Sequence, residues 1–228
     1  QFIRIIMGQE NKNFKEQFYL ILTGIFIASL VASNLIFQKF FTWNFLGIDF
    51  ELSVGIIAYP VTFLVTDLIS ELYGQKRANQ VVVSGFFASV FTTLLVLISA
   101  NANAVEWSPI DNTTFTKVFG LTGPAFFASM VAYLTAQLID VRIFHFWKRL
   151  TKGKHLWLRN NASTMFSQLV DTSVILIILC SAGVIEWERF YSLWMMGWLF
   201  KVLVALIDTP IIYGVIHLLK GKIDIAKH

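Results

Sequence analysis

Asp67 and Glu71 lie four residues apart in an otherwise apolar stretch, a spacing that puts both carboxyls on one face of a helix. The same helical arithmetic groups Tyr133, Gln137 and Asp140, then Thr164, Gln168 and Asp171, each at i, i+4 and i+7. Lys201 and Asp208, seven apart, also share a face, and Asn34 and Gln38 stand four apart further upstream. A carboxylate accepts two parallel N–H donors, and a carboxamide both donates and accepts. Paired, such groups suit the edge of a planar heterocycle such as a purine-like base, with Phe, Tyr or Trp faces over its rings; these aromatics make up 15% of the chain. The chemistry they offer is recognition of a small polar solute.

The elements that must position these residues are written in the composition. Of 228 residues, 56% are hydrophobic and 14% charged, and the mean hydropathy is +0.66. Soluble domains hold about 45–50% apolar and about 25% charged residues. The apolar residues come in blocks of about twenty, the length that crosses a hydrocarbon core of about 30 Å. Blocks over about 18–37, 50–73, 78–100, 121–140, 161–182 and 193–219 predict an all-α integral membrane protein, one transmembrane domain of six spans over 1–228. Pro60 falls within the second span, where neighbours must satisfy the freed carbonyl. Pro124 suits a first helical turn. The segment 141–159 mixes Arg142, Lys148, Arg149, Lys152, Lys154 and Arg159 with Phe144, Phe146 and Trp147, and reads as a basic, aromatic stretch lying in the interface.

The net charge is +4. The basic residues concentrate in alternate loops, which points to membrane topology rather than to nucleic acid. With the N-terminus in the cytoplasm, Arg4, Lys12, Lys15, Lys76, Arg77, the six of 141–159, Lys220, Lys222 and Lys227 fall inside. Only Lys39, Lys117 and Arg189 fall outside, so both termini are expected to be cytoplasmic.

Ionisable groups within the bilayer usually serve a cavity or a partner. At about 1.5 Å of rise per residue, Lys201 is about 12 Å in from the outer end of its span and Asp171 about 15 Å up from the inner end of its own. The two can meet near mid-membrane, and a Lys201–Asp171 pair, or a polar ligand shared between them, is expected. Asp67, Glu71, Gln137, Asp140 and Asp208 belong to the cytoplasmic half. For Glu71 and Asp140, Lys76, Arg77 and Arg142 offer interfacial ion pairs.

Other features are negative or bland. No G-x-x-x-x-G-K-[ST], H-E-x-x-H or G-x-S-x-G motif occurs, so no nucleotide cofactor, metal centre or hydrolytic triad is expected and no residue is assigned as catalytic. His145, His155, His217 and His228 fall at or beyond helix ends without a second ligand at metal spacing. Cys180, the single cysteine, reads as small core packing. Gly24, Ala28 and Ala32 form a small-residue stripe, either tight packing within the bundle or a face on which a partner subunit or second copy would dock.

At these same residues the sequence resembles a known family. Thr66-Asp67-Leu-Ile-Ser-Glu71-Leu-Tyr73-Gly74 after Tyr59-Pro60 looks like the helix 2 signature of the queuosine precursor transporter family, also called the VUT type. Gln137-Leu-Ile-Asp140-Val, Asn161-Ala-Ser-Thr-Met-Phe-Ser-Gln168-Leu-Val-Asp171-Thr, and Lys201-Val-Leu-Val-Ala-Leu-Ile-Asp208-Thr209-Pro210 are similar to its later motifs, and Ser33-Asn34 fits as well. Where Ser167 stands, the family pattern leads one to expect glycine. The resemblance implies six transmembrane helices akin to the substrate-binding subunits of energy-coupling-factor transporters. It implies uptake of deazaguanine bases, the cyano and aminomethyl precursors of queuosine in tRNA, across a bacterial inner membrane, and no enzyme activity. Carried over by position, the substrate contacts are Asn34, Asp67, Gln137, Asp140, Gln168, Asp171 and Lys201, with Glu71, Tyr133 and Asp208 as further candidates. The alternative is a binding subunit that depends on a separate ATP-driven module.

Overall fold

The structure is a computed structural model and describes residues 2–45, 47–119 and 123–219. Seven α-helices occur among them: α1 (Phe2–Ile36), α2 (Tyr59–Tyr73), α3 (Gln75–Ala100), α4 (Asn112–Phe119), α5 (Gly123–Leu150), α6 (Leu156–Ser181) and α7 (Phe190–Leu219). All but the short α4 belong to segments long and apolar enough to cross a membrane, so the expected six spans are present. Between the first two spans, β1 (Phe40–Phe45) and β2 (Ile48–Ser53) form an antiparallel hairpin with Phe41 opposite Leu52 and Trp43 opposite Phe50. Hydropathy alone had merged its second strand into the second span. Phe50 and Leu52 are buried, and the Trp43 ring meets Phe200 of α7 edge-on at 5.5 Å, so the hairpin lies against the bundle.

Several expected boundaries shift for identifiable reasons. The second span begins as a 3₁₀ turn, Val54–Ile57, and Pro60 sits in the first turn of α2 rather than in its interior, where its missing N–H breaks no helical bond. Gly55 lies so close to α1 that a Cβ there would come within 2.9 Å of the Ser33 carbonyl oxygen. Gly74, at φ 84°, lets α2 turn directly into α3.

The larger correction concerns 141–159. It is not an interfacial segment: α5 runs on to Leu150, a short turn follows, and α6 begins at Leu156. Lys148 and Arg159 are buried, as is His145, which lies inside α5 rather than at a helix end. Buried partners, described below, replace the water these cations would otherwise need. The Arg159 guanidinium also donates to the carbonyls of Gly153 (2.9 Å) and Lys154 (3.2 Å), which closes the turn over the end of α5.

The core centres on α1, α2, α3 and α5: Phe26 and Leu30, Val65 and Ile69, Val81 and Val82, and Tyr133 and Val141 pack together. The Gly24–Ala28–Ala32 stripe does not join it. All three residues are exposed and Gly24 has no atom within 4 Å of its would-be Cβ, so the stripe faces outward and the reading as packing within the bundle falls.

Candidate functional site

α6 carries the site because its polar residues recur at three- and four-residue intervals. Asn160, Ser163, Thr164, Ser167, Gln168 and Asp171 are all buried. In hydrocarbon an unpaired polar group costs several kcal/mol, about 4–8 for an amide or hydroxyl with nothing to bond, so such a stripe turns toward other helices. Here α2, α5 and α7 meet it.

Near the middle of α6, Asp171 is held from two sides. Lys201 of α7 donates Nζ to Asp171 Oδ2 at 2.6 Å and to Thr172 Oγ1 at 3.0 Å. Tyr59 of α2 donates its hydroxyl to Asp171 Oδ1 at 2.9 Å, and its ring lies 5.4 Å from the same Nζ. The expected Lys201–Asp171 pair is therefore formed, and the donor the sequence reading missed is Tyr59. A signal existed: Tyr59 lies inside the predicted second span, beside Pro60, where a hydroxyl needs a buried partner. Gln168 lies one turn inward from Asp171; it is 3% exposed, and its Oε1 has no hydrogen-bond partner.

One further turn inward, Thr164 donates to Asp67 Oδ2 at 3.2 Å and Ser167 donates to Asp140 Oδ1 at 2.9 Å. The Asp67 and Asp140 carboxyl groups meet each other there, with Asp208 of α7 near enough to act on Asp67 electrostatically. Ser167, at the position where the resemblance implies glycine, thus supplies a hydroxyl to this cluster.

Near the C-terminal end of α2, Glu71 has partners other than the expected Lys76, Arg77 and Arg142. Arg159 Nη2 stands 2.6 Å from its Oε1 and Lys148 Nζ 3.2 Å from its Oε2. Lys148 also reaches the Glu71 carbonyl at 3.4 Å. Arg77 instead pairs with Glu16 of α1 at 3.1 Å on the exposed surface. The buried triad ties the C-terminal ends of α2 and α5 to the N-terminal end of α6.

Three of the sequence-derived candidates bond elsewhere. Gln137 donates to Thr62 Oγ1 (3.0 Å) and accepts from Thr66 Oγ1 (3.3 Å), so α2 takes both ends of its amide. The Tyr133 hydroxyl bonds the Val82 carbonyl at 2.7 Å and locks α5 to α3. Asn34 Oδ1 accepts from Ser129 Oγ at 2.8 Å, across the α1–α5 contact. A cavity of about 540 Å³ opens away from all of them, between the hairpin and the turn from α6 to α7, where Phe41, Glu51, Ile185, Glu186 and Arg189 line it. The polar groups around Asp171 close on one another instead.

This arrangement can hold a polar solute by exchange. The two Asp171 oxygens now hold one donor each; a ligand edge with two N–H groups would take their place, and Gln168 Oε1 would receive a third.

Comparison with known proteins places the chain. A family profile described as "Putative vitamin uptake transporter" matches residues 53–215, from the end of β2 to the last turns of α7. The "Queuosine precursor transporter" of Escherichia coli (strain K12) is 26% identical over 211 residues, 91% of this chain and 89% of its own length. The "Probable queuosine precursor transporter" of Bacillus subtilis (strain 168) is 28% identical over 71% of this chain and 70% of its own. A protein of the same description from Haemophilus influenzae (strain ATCC 51907 / DSM 11121 / KW20 / Rd) is 28% identical over 74% and 69%. No solved structure matches the chain. With every motif from Tyr59 to Asp208 inside the matched region, this multi-pass membrane protein belongs to the vitamin uptake transporter family.

Proposed function

We propose that this chain takes up queuosine precursors, the cyano and aminomethyl deazaguanine bases, across the bacterial inner membrane, and that it does so without a separate ATP-driven module. The observation that carries this reading is the Tyr59–Asp171–Lys201 centre beside the unpartnered Gln168, where three spans of a family transporter meet. The names of the relatives supply the solute class. A guanine-like edge offers an N–H and an adjacent NH₂, two parallel donors that match one carboxylate, and a carbonyl that a lysine ammonium satisfies.

Gln168, Asp171 and Lys201 are the contacts in this reading, with the Tyr59 ring beside the base. Binding releases Tyr59 and Lys201 from Asp171. Because those donors come from α2 and α7, their release loosens two helices from α6, and that is the step from which alternating access would follow. The charge distribution supports cytoplasmic termini, with the hairpin and its 540 Å³ cavity on the outer face.

The test is uptake of labelled deazaguanine base by proteoliposomes that contain the purified chain alone. Saturable uptake, inhibited by unlabelled guanine-like bases, is expected. Binding without uptake would overturn the stand-alone reading, and no binding would overturn the substrate class.

A further inference from the structure

Among the described residues, two buried carboxyls, Asp67 and Asp140, form none of the ion pairs that hold the other buried acids. Lys201 closes on Asp171, while Lys148 and Arg159 both close on Glu71. Asp67 (2% exposed) and Asp140 (0%) receive only hydroxyls, from Thr164 and Ser167. Each keeps one buried oxygen, Asp67 Oδ1 and Asp140 Oδ2, with no donor. The hydroxyls that hold them are neighbours: Thr164 and Ser167 lie three apart on α6, with Ser167 Oγ 3.0 Å from the Thr164 carbonyl, so the two carboxyls lie side by side. Two ionised carboxylates are both acceptors and repel; a proton on one turns it into a donor to the other, removes a buried charge and satisfies the contact.

On α5, which carries Asp140, stand Arg142 at the surface, buried His145 five residues on, and Lys148, which is on Glu71. α6 faces the pair with Ser163, Thr164 and Ser167, and α7 with Asp208, which adds negative charge. On α2 the next turn carries Glu71, already occupied. The described ionisable groups of α1 and α3 that carry charge, Lys15, Glu16, Lys76 and Arg77, stand at the inner ends, with Arg77 on Glu16. Among the described residues no group of three or more His, Cys, Asp or Glu is placed to hold a metal ion.

We propose that Asp67 and Asp140 bind one proton between them as a proton-binding site of the transporter, and that this proton crosses with the solute. Thr164 and Gln168 lie four apart on α6, so the dyad sits on the same helical face as the solute centre. Release of α2 from Asp171 moves Asp67, because both Tyr59 and Asp67 belong to α2. Opening the pair separates the carboxyls, and the protonated one then ionises on contact with cytoplasmic water. The balance is one proton taken from outside by the dyad and one released inside per cycle. This rests on the uptake reading above and names its driving ion.

The experiment uses proteoliposomes of the purified chain with a pH-sensitive dye inside and choline in place of sodium. Addition of deazaguanine base outside should acidify the lumen, and an imposed inward proton gradient of two pH units should raise base accumulation at least several-fold. Asp67→Asn and Asp140→Asn put an amide N–H where the proton sat. Each should flatten the pH dependence of base binding by detergent-purified protein, measured between pH 5.5 and 8.5, in which the parent affinity should vary several-fold. Saturable uptake with no proton movement, or uptake that follows sodium, overturns the proton site and leaves the uptake reading intact. An unchanged pH profile in both variants also overturns it. Absence of base binding by the parent protein overturns both.

Discussion

Lys201 Nζ stands 2.6 Å from Asp171 Oδ2 across the α6–α7 contact, and the Tyr59 hydroxyl holds the other oxygen at 2.9 Å. One lysine therefore neutralises the single acid of α6 and fastens α7 to it. Lys201→Met should abolish uptake while the chain stays in the membrane fraction. It leaves a buried carboxylate without its cation, a loss of about 3–5 kcal/mol, so melting in detergent should fall. The double variant Lys201→Met with Asp171→Asn should recover most of the melting temperature and none of the uptake. Full uptake by Lys201→Met would sink the assignment.

Gln168 offers a different signature, because its Oε1 has no partner to lose. Gln168→Leu should weaken base binding by roughly tenfold, the value of one hydrogen bond of about 1.4 kcal/mol. Thermal stability should hold or rise. Titration with labelled base, alongside a melting curve, checks both halves.

The Glu71–Lys148–Arg159 triad predicts the reverse pattern. Arg159→Met strips Glu71 of its 2.6 Å partner and the 153–154 carbonyls of their donor. It should lower stability by about 3–5 kcal/mol, seen as a lower melting temperature and poorer expression. Base affinity in the protein that remains folded should change little. Replacing Glu71, Lys148 and Arg159 together by methionine should recover much of the stability, since no charge is then left unpaired.

Gly85 sets the approach of α3 to its neighbours. A Cβ there would lie 2.6 Å from Phe26 Cε1 and 2.8 Å from the Tyr133 hydroxyl oxygen, both ring positions held in the core. Gly85→Ala should destabilise by about 1–3 kcal/mol. Gly24→Ala, with nothing within 4 Å, should melt like the parent protein.

The spans and the central pair were legible because hydropathy and helical rise act on one helix at a time. Counting residues from two helix ends was enough to bring Lys201 level with Asp171. What was hidden depends on partners from other helices. Arg159 and Lys148 read as interfacial because a cation in a hydropathy window looks like a span's end. Only the folded chain shows Glu71 within reach of both and α5 continuing to Leu150. Gln137 was placed by spacing on its own helix, and its partners Thr62 and Thr66 come from another. The hairpin was lost for a different reason: Phe50 and Leu52 are apolar enough to extend a span, and period-two alternation over six residues is a short signal. The outward stripe of Gly24, Ala28 and Ala32 shows that small-residue spacing fixes a face without saying what lies against it.

Equilibrium binding of labelled cyano-deazaguanine base to the detergent-purified chain, beside its Asp171→Asn variant, addresses the central claim most directly. Saturable binding by the parent protein, displaced by guanine-like bases and weakened at least tenfold in Asp171→Asn, is the predicted result. Equal binding by the two proteins would contradict a solute site built on Asp171.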